Sequence, residues 1–164
     1  EITWVTGVQT CALRSLGGEG FVGQAIVQGL LKSHPPQAVA SFGLTQRTFT
    51  PSYRFFRTDV TSYDEVLASL RRSGATTVFH TVSPHPTATA EVCEQVNVRG
   101  TEAIIKACVA AGVTKLVFTS SVTVGFDSKD IISCDERLPS VDQSSDPYVA
   151  TKVRRARLCC ARHY

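Results

Sequence analysis

Leu16-Gly17-Gly18-Glu19-Gly20-Phe21-Val22-Gly23 is the stretch whose reading decides the fold. Gly17, Gly20 and Gly23 spell G-x-x-G-x-x-G, and Gly18, Gly20 and Gly23 spell G-x-G-x-x-G within it. A loop that receives a pyrophosphate needs glycine for three reasons. The turn out of the first strand is tight, the anion approaches the backbone closely, and the helix sits close to its strand. The anion then rests on unpaired N–H groups at the positive end of the helix dipole. The residues after the glycines agree. Val22, Ile26, Val27, Leu30 and Leu31 recur at helical spacing, so a helix follows the loop, as such a site requires.

On the N-terminal side, Val5-Thr6-Gly7-Val8-Gln9-Thr10-Cys11-Ala12-Leu13 reads like the translation of a sequencing-library adapter, with Arg14-Ser15 following from the loss of one base. Residues 1–15 are therefore expected to be a non-native leader and residues 16–164 the folded domain. Val5-Thr6-Gly7 mimics the end of a nucleotide-binding strand, but the positions where further glycines belong hold Thr10 and Leu13. A strand within residues 11–16 is still expected by default.

On the C-terminal side, His34-Pro35-Pro36 breaks the chain, and residues 38–42 are an apolar run suited to a buried second strand. A carboxylate at the end of that strand would take the adenosine ribose hydroxyls and favour NAD. Residues 43–47 read Gly-Leu-Thr-Gln-Arg instead. Arg47 can pair with a 2′-phosphate, which tips the expectation to NADP; otherwise it is a solvated loop charge. Residues 53–60 read as a third strand, with Asp59-Val60 at its end. Asp59 either borders the adenine or caps the helix of residues 62–72. Residues 76–81 form a fourth strand running into Val82-Ser83-Pro84. Residues 91–111 form a long helix whose inner face is Val92, Val96, Ala103, Ile104, Ala107 and Cys108. Residues 115–120 are a fifth strand ending at Thr119-Ser120-Ser121, residues 124–147 are loop, and a helix opens at Tyr148. Strands alternating with helices predict a doubly wound α/β fold around a parallel sheet, of Rossmann type.

Composition narrows the function. The 164 residues are 43% hydrophobic and 19% charged, as in an ordinary globular protein. The net charge of +3 is too small to argue for nucleic acid. No run of about 18 apolar residues marks a transmembrane span. The six cysteines (Cys11, Cys93, Cys108, Cys134, Cys159, Cys160) show no C-x-x-C and no zinc spacing with the four histidines. Free thiols, no structural metal and a cytoplasmic setting are expected.

Tyr148-Val149-Ala150-Thr151-Lys152 is Y-x-x-x-K. Positions four apart share a helix face, so a phenol and an ammonium stand side by side, and the cation favours the phenolate. Ser121 lies at the carboxyl end of a predicted parallel strand, the edge where open α/β sheets bind ligands.

The set Gly17-x-x-Gly20-x-x-Gly23, Asp59-Val60, Asn97, Thr119-Ser120-Ser121 and Tyr148-x-x-x-Lys152 resembles the extended short-chain dehydrogenases/reductases. Three further segments, residues 79–84 (Phe-His-Thr-Val-Ser-Pro), 96–101 (Val-Asn-Val-Arg-Gly-Thr) and 134–139 (Cys-Asp-Glu-Arg-Leu-Pro), look most like the 3β-hydroxysteroid dehydrogenase branch. Within it the likeness is to the fungal-type sterol-4α-carboxylate 3-dehydrogenases, over roughly residues 16–157. The resemblance implies an NAD- or NADP-dependent oxidation of a sterol 3β-hydroxyl. Tyr148, Lys152 and Ser121 would be catalytic. Gly17, Gly20, Phe21, Val22, Gly23, Arg47, Asp59, Val60, Thr81, Val82, Ser83, Tyr148 and Lys152 would hold the cofactor. Asn97 either orders the site or, as preferred here, satisfies backbone groups in its own helix. His80 reads as a packed strand-end histidine, and Ser83 and Pro84 as shaping the cofactor-side loop. A small sterol or steroid substrate, a homodimer, and a cytoplasmic location, including the cytosolic face of the endoplasmic reticulum, complete the expectation.

Leu16 stands where the family has threonine, the second-strand acid is missing, and extended members need roughly twice this length. The chain is thus expected to be the cofactor half, truncated before a C-terminal substrate domain and inactive by itself. Two rivals stand beside this reading. One is a nucleotide-sugar epimerase or small-carbonyl reductase, and residues 80–84 argue against the epimerase. The other is a non-catalytic NADP-binding module, which has no need of Ser121, Tyr148 and Lys152.

Overall fold

The computed structural model describes residues 12–48, 52–125, 140–141 and 144–160. Most of the leader, residues 134–139 and the loop acids Asp127, Asp130 and Asp142 lie outside the described residues. Five parallel strands form one sheet: β1 (Leu13–Leu16), β2 (Val39–Gly43), β3 (Arg54–Arg57), β4 (Thr77–His80) and β5 (Lys115–Phe118), in the order β3-β2-β1-β4-β5. β1 is central and fully buried, and it takes three residues from the expected leader. Leu16 pairs with Phe42 on one side and with His80 on the other, and His80 pairs with Phe118. The carboxyl ends of these strands are therefore level. The glycine loop, residues 44–48, residues 81–84 and residues 119–121 all leave the sheet along one edge.

The helices cover both faces. On one face, Leu16, Ala40, Phe42 and Val78 pack with Val66 and Leu70 of α2 (Tyr63–Ser73) and with Ile104, Ala107 and Cys108 of α4 (Gly100–Ala111). On the other, Val27, Leu30 and Leu31 of α1 (Phe21–Leu31) pack with Val39 and Tyr53. α2 begins at Ser62, whose hydroxyl accepts from Glu65 N, with Asp64 and Glu65 in its first turn and Arg71 and Arg72 in its last. Asp59 is not the cap. Its Oδ1 accepts instead from Thr61 N at 2.9 Å and Thr61 Oγ1 at 2.8 Å.

Two elements differ from the sequence reading. β3 stops at Arg57, and Thr58 N makes the last bond, to Gly43 O, because β2 offers no partner further on. Residues 58–60 leave the sheet and turn to the ligand edge. The long helix is not uniform. α3 (Ala90–Cys93) runs through a π-helical stretch (Glu94–Arg99) into α4. The wider π turn shifts the helical register, and such segments recur at functional sites. Ala103, Ile104, Ala107 and Cys108 face the core as expected, but Val92 and Val96 do not, and they line a cleft at the sheet edge. The C-terminal helix α5 (Pro147–Cys160) packs against α3, the π turn and α4. No helix among the described residues is long and apolar enough to cross a membrane.

Arg14 is an anomaly in a central parallel strand. Its guanidinium lies on the same face as Leu16, buried, donating to the carbonyls of Leu13, Ala38 and Ser73, and its Nε has no partner. Burial, with Arg54 nearby, pushes it down to about 10. No carboxylate among the described residues repays its desolvation. Arg14→Leu is expected to raise stability by about 1–3 kcal/mol, as apolar replacement of buried charge often does. A lowered midpoint in urea unfolding would contradict this.

Candidate active site

The ligand edge holds a cleft of about 540 Å³. Of the residues expected at the cofactor, Gly17, Gly20, Arg47, Asp59, Val60, Thr81, Val82 and Ser83 line it. Its floor is the glycine loop. Gly17 has φ +81°, a left-handed conformation that side chains rarely adopt, and a Cβ there would stand 2.9 Å from Thr81 Oγ1. Gly23 is the tightest position. A Cβ on it would overlap the carbonyl of Gly17, lying 2.7 Å from its carbon. The first turn of α1 thus lies directly on the strand exit, and Gly20, its N-cap residue, has no side chain to satisfy the free N–H groups. Gly20 itself lines the cleft, so this N-terminus stands at its floor, the kind of place an anion takes.

Phe21 and Val22 depart from expectation. Phe21 is 95% exposed, Val22 is also exposed, and neither lines the cleft. They sit at the first helical positions with their side chains pointing outward, so any contribution to a ligand is made by their backbone. Gly23 likewise serves from beneath the loop, without lining the cleft.

Sequence reasoning missed Glu19. Its carboxylate crosses from the glycine loop to the segment after β2, where Oε2 accepts from Arg47 N at 2.8 Å and from Thr48 N at 3.0 Å, while Oε1 accepts from the Tyr53 hydroxyl at 3.0 Å. Burial pushes its pKa up, but these bonds outweigh that and hold it below the usual carboxylate value. An acid between motif glycines was the available signal. Val92 and Val96 were missed as cleft residues because an apolar pair at i, i+4 reads as core.

The catalytic candidates lie on a second group of elements. Tyr148 and Lys152 share a face of α5, with Lys152 Nζ 5.3 Å from the centroid of the Tyr148 ring. Asp146 opens the helix, its Oδ1 accepting from Tyr148 N at 2.7 Å and Val149 N at 3.3 Å. Ser121 follows β5, and its hydroxyl lies 2.8 Å from Thr123 Oγ1. The single-turn 3-10 helix after it (Val122–Gly125) packs on α5. Ser121, Tyr148 and Lys152 do not line the 540 Å³ cleft. Val82 joins the two regions, since it lines the cleft and its carbonyl accepts from Arg155 of α5 at 2.6 Å.

Asn97 corrects an expectation. It serves another helix rather than backbone groups in its own. Its Nδ2 donates to Thr151 Oγ1 at 3.1 Å, and its Oδ1 accepts from Arg155 at 3.1 Å. Asn97 therefore sets the rotation of the helix that carries Tyr148 and Lys152. His80 is packed as expected. It is fully buried, its Nε2 is 3.0 Å from Thr101 Oγ1, and burial with Arg155 and Lys152 nearby holds it well below its usual pKa. Cys93, Cys108, Cys159 and Cys160 are free thiols, and no group among the described residues could hold a metal ion.

Comparison with known proteins agrees with this geometry. The sequence profile of the 3-beta hydroxysteroid dehydrogenase/isomerase family matches residues 14–159. The chain belongs to this family. It is 38% identical over 143 residues to human sterol-4-alpha-carboxylate 3-dehydrogenase, decarboxylating, covering 87% of the chain and 37% of that protein. The Saccharomyces cerevisiae protein of that description is 32% identical, with 84% and 42% covered. The likeness is thus not specifically fungal. The chain spans about two-fifths of the length of these curated relatives. The fold matches Thermus thermophilus UDP-glucose 4-epimerase in complex with NAD at TM-score 0.77 and 24% identity, over 91% of the chain and 50% of that protein. A UDP-galactose 4-epimerase matches at TM-score 0.77 and 25% identity, with the same coverage.

Two outcomes test this geometry. Gly23→Val must push α1 off the loop, so it is expected to lower stability by more than about 2 kcal/mol and to abolish dinucleotide binding. Unchanged urea unfolding would contradict it. Burial, together with Arg155, pushes Lys152 down to about 8 from 10.5. Within that window the unfolded chain binds more protons, so this group's contribution to stability rises with pH. The stability of the wild type relative to Lys152→Met is therefore expected to increase from pH 8 to pH 10, and a flat difference in paired urea titrations would contradict it.

Proposed function

We propose that this chain is the cofactor-binding half of a nicotinamide-dependent 3β-hydroxysteroid dehydrogenase, acting on a sterol and in particular on a 4α-carboxysterol. The observation that carries the reading is the Tyr148–Lys152 pair on α5, held to the cleft through Val82. The residues present fit a dinucleotide. The glycine cradle has no room for a Cβ, and the α1 N-terminus opens onto a cleft large enough for a nucleotide. A bound nicotinamide ring would supply the two-electron acceptor.

The chain's own residues account for the proton. Tyr148 takes it from the C3 hydroxyl through its phenolic oxygen, with the Lys152 ammonium beside its ring. Ser121 orients the substrate oxygen; its hydroxyl donates once and accepts twice, and its contacts with Thr123 Oγ1 and Thr123 N leave one of these for the substrate. Oxidation at C3 of a 4-carboxysterol gives a β-keto acid, which loses carbon dioxide readily. The named sterol relatives support this substrate class. Arg47, exposed at the cleft, is the group that favours NADP, and the Glu19 carboxylate beneath the same loop opposes it.

Tyr148→Phe in the protein that carries this segment is expected to reduce sterol oxidation by about 10³-fold or more, within the range of lost acid–base catalysis, while sparing cofactor affinity. Assay with a 4α-carboxysterol against UDP-sugars checks both points. Unchanged turnover, or turnover of the sugars alone, would overturn the reading.

A further inference from the structure

We infer that Glu19 sets the dinucleotide preference, selecting NAD over NADP through a fixed carboxylate at the adenosine end of the cleft. The inference rests on the dinucleotide reading above and names the cofactor of that site.

In this fold an acid at the end of the second strand binds the ribose hydroxyls of NAD, and a nearby arginine accommodates the 2′-phosphate of NADP. β2 ends at Gly43, and residues 43–48 contain no acid. Glu19 supplies one from the opposite side. Its carboxylate is bonded to the N–H groups of Arg47 and Thr48 in the segment that leaves β2, and the residue lines the cleft beside Gly43 and Thr45. Its oxygens accept from Arg47 N, Thr48 N and the Tyr53 hydroxyl, with the Ser41 hydroxyl also beside them, so the carboxylate is held ionised and fixed in place. A ribose hydroxyl brings no charge to that position, whereas a 2′-phosphate brings further negative charge.

Two opposing charges act on a 2′-phosphate, and their surroundings decide between them. The Arg47 side chain is exposed, and its guanidinium makes no hydrogen bond among the described residues, so it must be ordered out of solvent to bind, and its attraction is screened by water. Glu19 is 5% exposed and held by three hydrogen bonds, so its repulsion is preorganised and poorly screened. The buried charge prevails.

The test is equilibrium binding of NADH and of NADPH to the 164-residue chain, followed by nicotinamide fluorescence, with circular dichroism as the check of fold. The wild type is expected to bind NADH about tenfold or more tightly than NADPH, and Glu19→Gln to bring the two affinities within about threefold, mainly by strengthening NADPH. Glu19→Ser, which also removes the charge, provides the same readout should Glu19→Gln fail to fold. A wild type that binds NADPH as tightly as NADH, or a ratio unchanged in the folded neutral variant, overturns the inference and leaves the dinucleotide reading standing. Binding of neither cofactor by the folded wild type overturns that reading and the inference with it.

Discussion

The closeness of Gly17 and Gly23 is the constraint on which the rest depends. With no side chain on either, the first turn of α1 stacks on the exit of β1, and the helix amides open at the carboxyl edge of the sheet. The register of β2 and β4 against β1, and of β5 against β4, brings three further strand exits to the same level. A cleft forms there because each chain segment leaves the sheet within a residue or two of Leu16. The ligand site is a consequence of the parallel register, and loop residues only furnish it.

A second constraint concerns charge. The inner side of α5 carries Lys152 and Arg155, both buried, next to fully buried His80. Arg155 bonds the Val82 carbonyl and the Asn97 amide oxygen rather than a carboxylate, and its guanidinium lies 4.5 Å from the Phe118 ring centroid. Neutral acceptors and an aromatic face offset part of its desolvation, while burial and the two cations hold His80 well below its usual pKa. The cluster is costly, but it holds α5 against the strand ends and keeps Lys152 beside the Tyr148 ring. Arg14 carries a similar cost at the opposite end of β1 and serves no such geometry.

Much of this was legible in the residues. Strands β2 and β4 read correctly because parallel central strands are continuous buried runs, and the glycine spacing placed the loop and helix together, whereas β1, Leu-Arg-Ser-Leu, was expected only by default from its place before the loop. The pairing of Tyr148 with Lys152 followed from helical period alone. What escaped the sequence depended on long-range or non-standard backbone geometry. The π turn at Glu94–Arg99 redirected Val92 and Val96, which a regular helix would have turned inward. Ser62 capped α2 and left Asp59 at the cleft, a choice between two capping residues that composition could not make. Asn97 found its partners on α5, more than fifty residues away. Glu19 bonds residues 28 to 34 positions on, and in a motif read for its glycines an acid carried no weight.

The claim at the centre is that a dinucleotide pyrophosphate rests on the α1 N-terminus. The most direct measurement is a titration of the uniformly ¹⁵N-labelled chain with NADH, followed by amide chemical shifts. The account predicts that the amides of Gly18, Gly20, Phe21 and Val22 shift most, together with those of Asp59 and Val82, while those of Lys106 and Val109 on the far side of α4 stay in place. Saturable binding that leaves the Gly18–Val22 amides unmoved would contradict it.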